Sequence, residues 1–117
     1  MLNALKILMA EIKNKPNLID NSPKYRNARS MVLEAVEAGI QAVEPSRIIT
    51  EKLILDGDSL TIDNVTLDLA DFREIYVAGM GKASGAMAAG LEEVLNSRIS
   101  GGIVAVPSVK NSKLDHI

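Results

Sequence analysis

IYVAGMGKASGAM, residues 75–87, is the stretch of sequence that decides the fold. The continuous β-branched and aromatic run from Glu74 to Gly79 is typical of a strand buried on both faces, as in parallel sheets. Glycines at 79 and 81 end that run, and apolar residues at helical spacing follow over 87–95. The stretch therefore predicts a buried strand that passes through a glycine-rich turn into a helix.

A second buried strand is predicted over Gly102 to Val106, ended by Pro107. A strand, a helix and a strand between residues 75 and 106 form a βαβ unit, whose crossover we expect to be right-handed. The predicted fold class is α/β.

Upstream of this unit the sequence predicts helices. Residues 1–14 carry apolar residues at helical spacing and indicate an amphipathic helix, and residues 15–25 indicate a connector because Pro16 and Pro23 interrupt any pattern. A second helix is predicted from Pro23 to Glu44, with Ser22 as its N-cap and one apolar face. That face consists of Val32, Val36, Gly39 and Val43.

A short third helix is predicted to begin at Pro45 and to include Leu53 and Ile54 in its apolar set. From Leu55 the period becomes alternating, and residues 55–69 predict two short antiparallel strands, a small β-hairpin. Turn residues lie at 56–58 and again at 63–64.

Length, cysteine content and net charge exclude several classes of protein. A chain of 117 residues with 47% hydrophobic content fits one compact domain. With no cysteine the chain has no disulfide or thiolate metal site, and an intracellular protein is expected. A net charge of -2 gives no basic surface for nucleic acid or an anionic membrane, and Lys6 and Glu11 interrupt the apolar N-terminus, which has no signal-peptide pattern. We expect a cytoplasmic protein.

The candidate ligand-binding residues lie in the turn after the first strand: Gly79, Gly81, Lys82, Ala83 and Ser84. Glycines permit positive φ angles and close approach, and the amides at a helix start favour a phosphate or carboxylate. Lys82 opposes the helix macrodipole at a cost of about 0.3–1 kcal/mol, which a bound anion would remove. The alternatives are a solvated lysine, glycines that only shape a tight turn, and a Ser84 hydroxyl that binds an anion or satisfies a backbone amide.

The sequence of this turn does not match the known phosphate-binding loops. Tyr76 stands where a Walker A loop needs its first glycine, and Ala83 stands where it needs Ser or Thr. The dinucleotide fingerprint G-x-G-x-x-G matches at Gly79 and Gly81 but finds Ser84 in the third place. The second strand ends at Val106-Pro107 without an acid for a ribose, so a nicotinamide cofactor is not expected.

No metal-binding residues are predicted, because turn chemistry explains the hairpin aspartates and His116 is expected in a frayed terminus. Those aspartates are Asp56, Asp58, Asp63 and Asp68. Asn64-Val65-Thr66 matches a glycosylation sequon without any signal for secretion.

YVAGMGKASGAMAAGLEEVLNSRISGGIVAVP, residues 76–107, resembles the strand, glycine-lysine-alanine turn and helix of the glycerate 2-kinase family. The similarity continues more loosely through the upstream helices, Pro45 and the hairpin LILDGDSLTIDNVTLDL. The family's enzymes are two-domain α/β proteins with a Rossmann-like domain and a smaller second domain across the active-site cleft. The resemblance implies that residues 1–117 are the N-terminal portion of the Rossmann-like domain, and that the second domain is absent.

The resemblance also implies an activity. The family transfers the γ-phosphoryl group of ATP, with Mg²⁺ or another divalent metal, to the C2 hydroxyl of D-glycerate and forms 2-phosphoglycerate. Lys82 matches the lysine of the family's glycine-lysine-alanine turn and is the expected catalytic residue. Because the family continues into a glycine-histidine-proline segment and a C-terminal domain, we expect the chain to be a fragment that is inactive alone.

Two other functions stay open at this stage. One is a non-catalytic anion-binding or assembly module that pairs an exposed sheet edge with a partner, which makes a homo-oligomer conceivable. The other is a hydroxypyruvate reductase, which the missing ribose-binding acid disfavours.

Overall fold

The computed structural model of the protein describes residues 11–107 and 114–117. The chain divides into two compact units, Met1–Glu44 and Pro45–Ile117. Most of the predicted first helix falls on residues 1–10, outside the described ranges, and its last four residues, 11–14, are not helical. A single Rossmann-like domain over residues 1–117 stays a prediction. Within the described ranges, each helix is too short or too polar to cross a membrane.

The first unit contains two helices, α1 (Lys15–Asp20) and α2 (Arg26–Ala42), with a short 3₁₀ helix at Pro23–Tyr25 between them. The prediction of a connector over residues 15–25 is therefore wrong. Pro16 lies in the first turn of α1, where the missing N–H has no intrahelical partner to lose, so it starts a helix instead of breaking one.

Polar contacts from one side of α2 hold the segment that contains α1. The Glu37 carboxylate accepts hydrogen bonds from Ile12 N–H at 2.9 Å and from Lys15 Nζ at 2.6 Å. The hydrogen bond from Lys15 lowers the pKa of Glu37, and the same bond raises the pKa of Lys15. Arg29 Nη1 donates to the Leu18 carbonyl oxygen at 2.7 Å.

The predicted second helix is confirmed as α2, but two of its details differ. Ser22 is extended and caps no N–H with its side chain. The predicted apolar face exists and is largely solvent-exposed, with Val32 62%, Val36 46% and Val43 66% exposed.

The second unit begins with α3 (Pro45–Lys52), the predicted short helix. Three strands follow in sequential antiparallel order: β1 (Leu53–Asp56), β2 (Ser59–Ile62) and β3 (Val65–Asp68). The predicted two-stranded hairpin is wrong because Leu53 and Ile54 do not continue the helix. They alternate between buried and exposed positions, which is the period of a strand. The two predicted turns therefore separate three strands.

The βαβ unit follows as β4 (Tyr76–Met80), α4 (Ser84–Leu95) and β5 (Gly101–Ala105). β4 and β5 pair in parallel, with Ala78 opposite Ile103 and Met80 opposite Ala105. The predicted mixed α/β fold class is confirmed. The right-handed crossover and the Rossmann-like type stay predictions.

The core of the second unit joins the antiparallel sheet to the end of α4. Its buried side chains are Leu53, Leu60, Leu69, Leu95 and Ile99. α3 and α4 pack closely at Gly90, where an added Cβ would lie 2.7 Å from the Ser46 carbonyl oxygen. The glycine therefore permits the closest approach of the two helices.

The described residues of the second unit cover one face of the parallel sheet. Val77 packs against the core, and Gly79 lies beside Ser84 at the start of α4. On the other face, Tyr76 is 67%, Met80 85% and Ile103 74% exposed. The prediction that β4 and β5 are buried on both faces is wrong within the part of the chain that the structure describes.

Candidate anion-binding site

The predicted site residues lie together at the carboxyl end of β4. Gly79 and Met80 are the last two residues of the strand, residues 81–83 form the turn, and Ser84 is the first residue of α4. The structure thus brings all five predicted residues into one strand–turn–helix connection. Such connections, at the carboxyl ends of parallel strands, are where α/β proteins bind ligands.

The two glycines of the turn serve different purposes. Gly81 has φ +108°, a backbone conformation that L side chains rarely adopt. Gly79 has no such angle; a Cβ added there would lie 3.3 Å from the Cβ of Ser84. The expected positive φ is therefore confirmed at Gly81, whereas Gly79 lets the helix start close to the strand.

Hydrogen bonds fasten the turn to the end of β5. Gly81 N–H donates to the Ala105 carbonyl oxygen at 3.0 Å. The Ser84 hydroxyl lies 2.7 Å from the Gly81 carbonyl oxygen and 3.3 Å from that of Ala105. In this structure the Ser84 hydroxyl donates to a backbone carbonyl oxygen and does not cap a backbone amide. Instead it bridges the turn and the second strand, which makes the turn a fixed element.

Four N–H groups of the turn and of the first helical residues have no acceptor within residues 11–107 and 114–117. Among the described residues, the backbone N–H groups of Lys82, Ala83, Gly85 and Ala86 donate to no protein atom. The first turn of α4 contains no acidic residue, and Ala83 at the N-cap offers no side-chain cap. The part of the chain that the structure describes therefore places no negative charge against the positive end of the helix dipole.

Lys82 adds a full charge to this end of the helix. Its side chain is exposed, and within the described ranges it forms no ion pair or hydrogen bond. Open amides, a helix dipole and a free ammonium group together form a site suited to a phosphate or a carboxylate. The same geometry fits a solvated lysine, so both interpretations from the sequence persist.

An apolar depression lies next to the turn on the uncovered face of the parallel sheet. It has a volume of about 390 Å³ and is lined by Ala78, Gly79, Met80, Ile103 and Ala105. The polar groups of the turn thus border an apolar surface at the same strand ends.

Three of the four hairpin aspartates have protein partners. Asp58 pairs with Arg98, Asp63 with Lys52 at 3.0 Å, and the Asp68 carboxylate accepts the Ala70 N–H at 2.9 Å. Within the described ranges no three His, Cys, Asp or Glu residues gather as metal ligands. The amides and Lys82 fit the anionic part of a metal–nucleotide complex, and the described residues offer no acidic cluster for its metal.

His116 does not lie in a frayed terminus, so that prediction is wrong. The Glu92 carboxylate accepts backbone N–H groups from Asp115, His116 and Ile117 at 3.0, 2.6 and 3.0 Å. The contact spans 23 to 25 residues and leaves no local pattern to detect.

The structure is that of a mixed α/β chain with a candidate anion-binding connection at the end of a parallel strand. Residues 31–117 match the family model described as Domain of unknown function (DUF4147), and the chain belongs to that family.

Two curated relatives of the chain are glycerate kinases. The chain is 31% identical over 125 aligned positions to a glycerate kinase of Bos taurus and 28% identical to a glycerate kinase of Mus musculus. Each alignment covers 99% of the chain and 23% of the relative, so the chain spans about a quarter of the length of these proteins. No solved structure matches the chain. The resemblance to glycerate kinases predicted from residues 76–107 is confirmed.

Proposed function

We propose that the chain is part of an ATP-dependent glycerate 2-kinase and supplies the anion-binding connection of its active site. The observation that carries this proposal is Lys82, exposed and unpaired within the described ranges, at an uncapped helix start in a member of the DUF4147 family. The names of the bovine and mouse relatives support kinase chemistry on glycerate.

The residues of the turn suit phosphoryl transfer. Catalysis of this reaction consists mostly of positioning and of stabilising charge on the transferring group. The N–H groups of Lys82 and Ala83 and the ammonium group of Lys82 would hold an anionic oxygen, either of the phosphoryl group or of the glycerate carboxylate. The bonds from Gly81 and Ser84 to the end of β5 keep the donors in place. ATP with Mg²⁺ would supply the phosphoryl group for the C2 hydroxyl.

A coupled assay with ATP and D-glycerate tests the proposal in the protein that contains this chain. Lys82→Met retains the aliphatic stem and removes the charge, and we expect kcat/KM to fall about 10²- to 10³-fold, as for loss of one charge-stabilising group. Lys52→Met is the matched control, because Lys52 is an exposed lysine at the end of α3 that pairs with Asp63 in the turn between β2 and β3. Wild-type turnover by Lys82→Met would refute the role of Lys82.

A second function is a non-catalytic anion-binding or assembly module. It rests on the same open N–H groups and exposed Lys82, which suit the binding of an anion without any chemistry. Amide chemical shifts of residues 82–86, followed during titration with inorganic phosphate, ATP or glycerate, test binding by the chain itself. Shifts with phosphate alone and no turnover in the coupled assay favour the module. Turnover that depends on Lys82 favours the kinase.

A further inference from the structure

We propose that the bond between Asp56 and Gly57 is a site of isoaspartate formation, and that Arg98 holds the surrounding turn in a form that slows this modification. The site lies at the tip of the hairpin between β1 and β2, where Gly57 and Asp58 form the two-residue turn. The reaction is spontaneous and needs only water, so it is independent of the proposed kinase activity.

The chemistry joins the Asp56 side chain to the next backbone nitrogen. The nitrogen of Gly57 attacks the Cγ of the protonated Asp56 carboxyl group, an N–Cγ bond forms, and the carboxyl OH leaves with the amide proton as water. The product is a cyclic succinimide. Water then opens the ring at either carbonyl carbon, which yields aspartate again or isoaspartate, in which the backbone runs through the side-chain carboxyl carbon. No atom is oxidised or reduced.

Both reacting groups lack partners in the part of the chain that the structure describes. The exposed Asp56 carboxylate forms no ion pair or hydrogen bond there, and the Gly57 N–H donates to no protein atom. Glycine has no Cβ to hinder the approach of its nitrogen to Cγ. Gly57 is the only glycine of the sequence that follows an aspartate, so this dipeptide is the one best suited to the reaction.

The second aspartate of the turn provides a contrast within the same hairpin. The Asp58 carboxylate is bound by Arg98 Nη1 at 2.5 Å. The residue that follows it, Ser59, carries a side chain and is paired with Asp56 in the antiparallel ladder. Asp58 therefore has neither the unpaired carboxylate nor the following glycine that favour the reaction at Asp56.

Arg98 restrains the turn from the 3₁₀ helix Asn96–Arg98, which follows α4. In addition to the bond to Asp58, its Nη2 donates to the Gly57 carbonyl oxygen at 2.8 Å. One planar guanidinium group thus holds both residues of the turn.

This restraint opposes the movement that the reaction requires. Ring closure needs the peptide group between Asp56 and Gly57 to rotate until its nitrogen faces Cγ. Because Asp56 is paired with Ser59, that rotation disrupts the last pair of the ladder and carries Gly57 away from Arg98. The reaction therefore proceeds from a locally opened hairpin tip, and the bonds from Arg98 reduce the population of that opened form.

The modification would change the contacts of the hairpin. Isoaspartate at position 56 lengthens the backbone by a methylene group at the end of β1, directly before the turn. A two-residue turn fixes the register of its strands, so the longer backbone no longer fits the pairing of Asp56 with Ser59. Gly57 and Asp58 would then move out of reach of Arg98, and the hairpin would lose its bonds to the end of α4.

Incubation of the folded chain at mildly acidic pH, followed by digestion with endoproteinase Asp-N and mass spectrometry, tests the site. This protease cleaves before aspartate and not before isoaspartate, so cleavage should be lost progressively at Asp56 and kept at Asp58. Methylation by a protein isoaspartyl methyltransferase measures the same product. Asp56→Glu keeps the charge but has a side chain too long for the succinimide ring, so this variant should accept no methyl groups at the turn.

Arg98→Met tests the restraint. Loss of the guanidinium should raise the rate of isoaspartate formation at Asp56 about three- to tenfold, as for the loss of a charged hydrogen bond. Arg47→Met is the matched control, because Arg47 pairs with Glu51 within α3, and it should leave the rate unchanged. Equal rates in wild type and Arg98→Met would overturn the role of Arg98. Intact cleavage at Asp56 in both proteins, while the urea-unfolded chain loses it, would overturn the site itself.

Amide hydrogen exchange separates opening of the turn from unfolding of the whole chain. In Arg98→Met the amide of Ser59 at the hairpin tip should exchange faster, while the amide of Leu95 in α4 should keep its protection. Faster exchange of Leu95 by the same factor would mean that global unfolding drives the reaction, and would contradict the assignment to the turn.

Discussion

The two sheets of the unit Pro45–Ile117 differ in how many of their faces are covered. The antiparallel sheet buries Leu53 and Leu60 against α4 and turns alternate residues such as Ile54 to solvent. The parallel sheet contacts the core through Val77, while Met80 and Ile103 on its other face are 85% and 74% exposed. Antiparallel sheets often have one solvated face, whereas parallel sheets are covered on both. The described residues therefore complete the first sheet and cover only half of the second.

The largest expected effect concerns the covered face of the antiparallel sheet. Leu60 is 5% exposed, and Leu60→Ala should lower the free energy of unfolding by about 2–4 kcal/mol through lost burial and a cavity. Urea denaturation followed by circular dichroism measures it. Leu67, its cross-strand partner, is 37% exposed and provides a control of the same residue type. Equal losses for the two alanine variants would show that the sheet is not anchored at Leu60.

The second effect concerns α4, the helix that covers the inner face of the parallel sheet. In Gly90→Ala the new Cβ would meet the Ser46 carbonyl oxygen at 2.7 Å and the Ile49 Cβ at 3.0 Å. Overpacking of this kind costs about 1–3 kcal/mol, which exceeds the roughly 1 kcal/mol gained in helix propensity, so net destabilisation is expected.

Gly39→Ala provides the control for that variant. Gly39 is also inside a helix, but its added Cβ meets nothing within 4 Å, so the alanine should stabilise the chain by about 0.5–1 kcal/mol. Thermal unfolding at low protein concentration measures both variants. The same sign of change at Gly90 and Gly39 would contradict the close contact of α3 and α4.

The parts of the fold that sequence predicted well are those with strong local signals. The β-branched run at residues 74–79 and the helical spacing over 87–95 predicted β4 (Tyr76–Met80) and α4 (Ser84–Leu95) in the right order, with bounds that differ by up to three residues. The structures around Pro16 and Leu53 were predicted wrongly because each residue type is compatible with two kinds of local structure. A proline opens a helix as readily as it ends one, and an apolar residue after a helix suits a strand equally well.

The position of the candidate site could be predicted from the sequence, but its long-range hydrogen bonds could not. The sequence from Gly79 to Ser84 predicted a lysine at the start of a helix. In the structure Lys82 lies there and is exposed. The Ser84 contact with the Ala105 carbonyl oxygen joins residues 21 positions apart, and the Glu92 contacts join residues 23 to 25 positions apart. Such contacts depend on tertiary packing, which a local pattern does not encode.

A third, smaller effect concerns Glu92 on α4. Burial alone would raise the pKa of Glu92, but three backbone N–H groups from residues 115–117 outweigh it and lower the pKa below its ordinary value of 4.5. Glu92→Gln should cost about 1 kcal/mol at pH 7, because the amide NH₂ group cannot accept a hydrogen bond. Glu93→Gln, at an exposed neighbouring position, should cost nothing measurable.

The pH dependence of this difference has a definite sign. A carboxylate whose pKa is lower in the folded protein stabilises it above pH 4.5, and that contribution is lost as pH falls through the lowered value. The stability gap between wild type and Glu92→Gln should therefore be constant near neutral pH and close in acid. A gap that widens in acid would mean that the Glu92 carboxylate does not hold the segment 114–117.

The smallest expected effect compares the two faces of the parallel sheet at neighbouring residues of β5. Ile103 points away from α4 and is 74% exposed, so Ile103→Thr should change the free energy of unfolding by less than about 0.5 kcal/mol. Val104 points to the covered face and lies against Gly79, so Val104→Thr places a hydroxyl there at a cost of about 1–2 kcal/mol. If Ile103→Thr cost as much as Val104→Thr in urea denaturation, the outer face of the parallel sheet would be covered in solution, and the contrast between the two sheets would disappear.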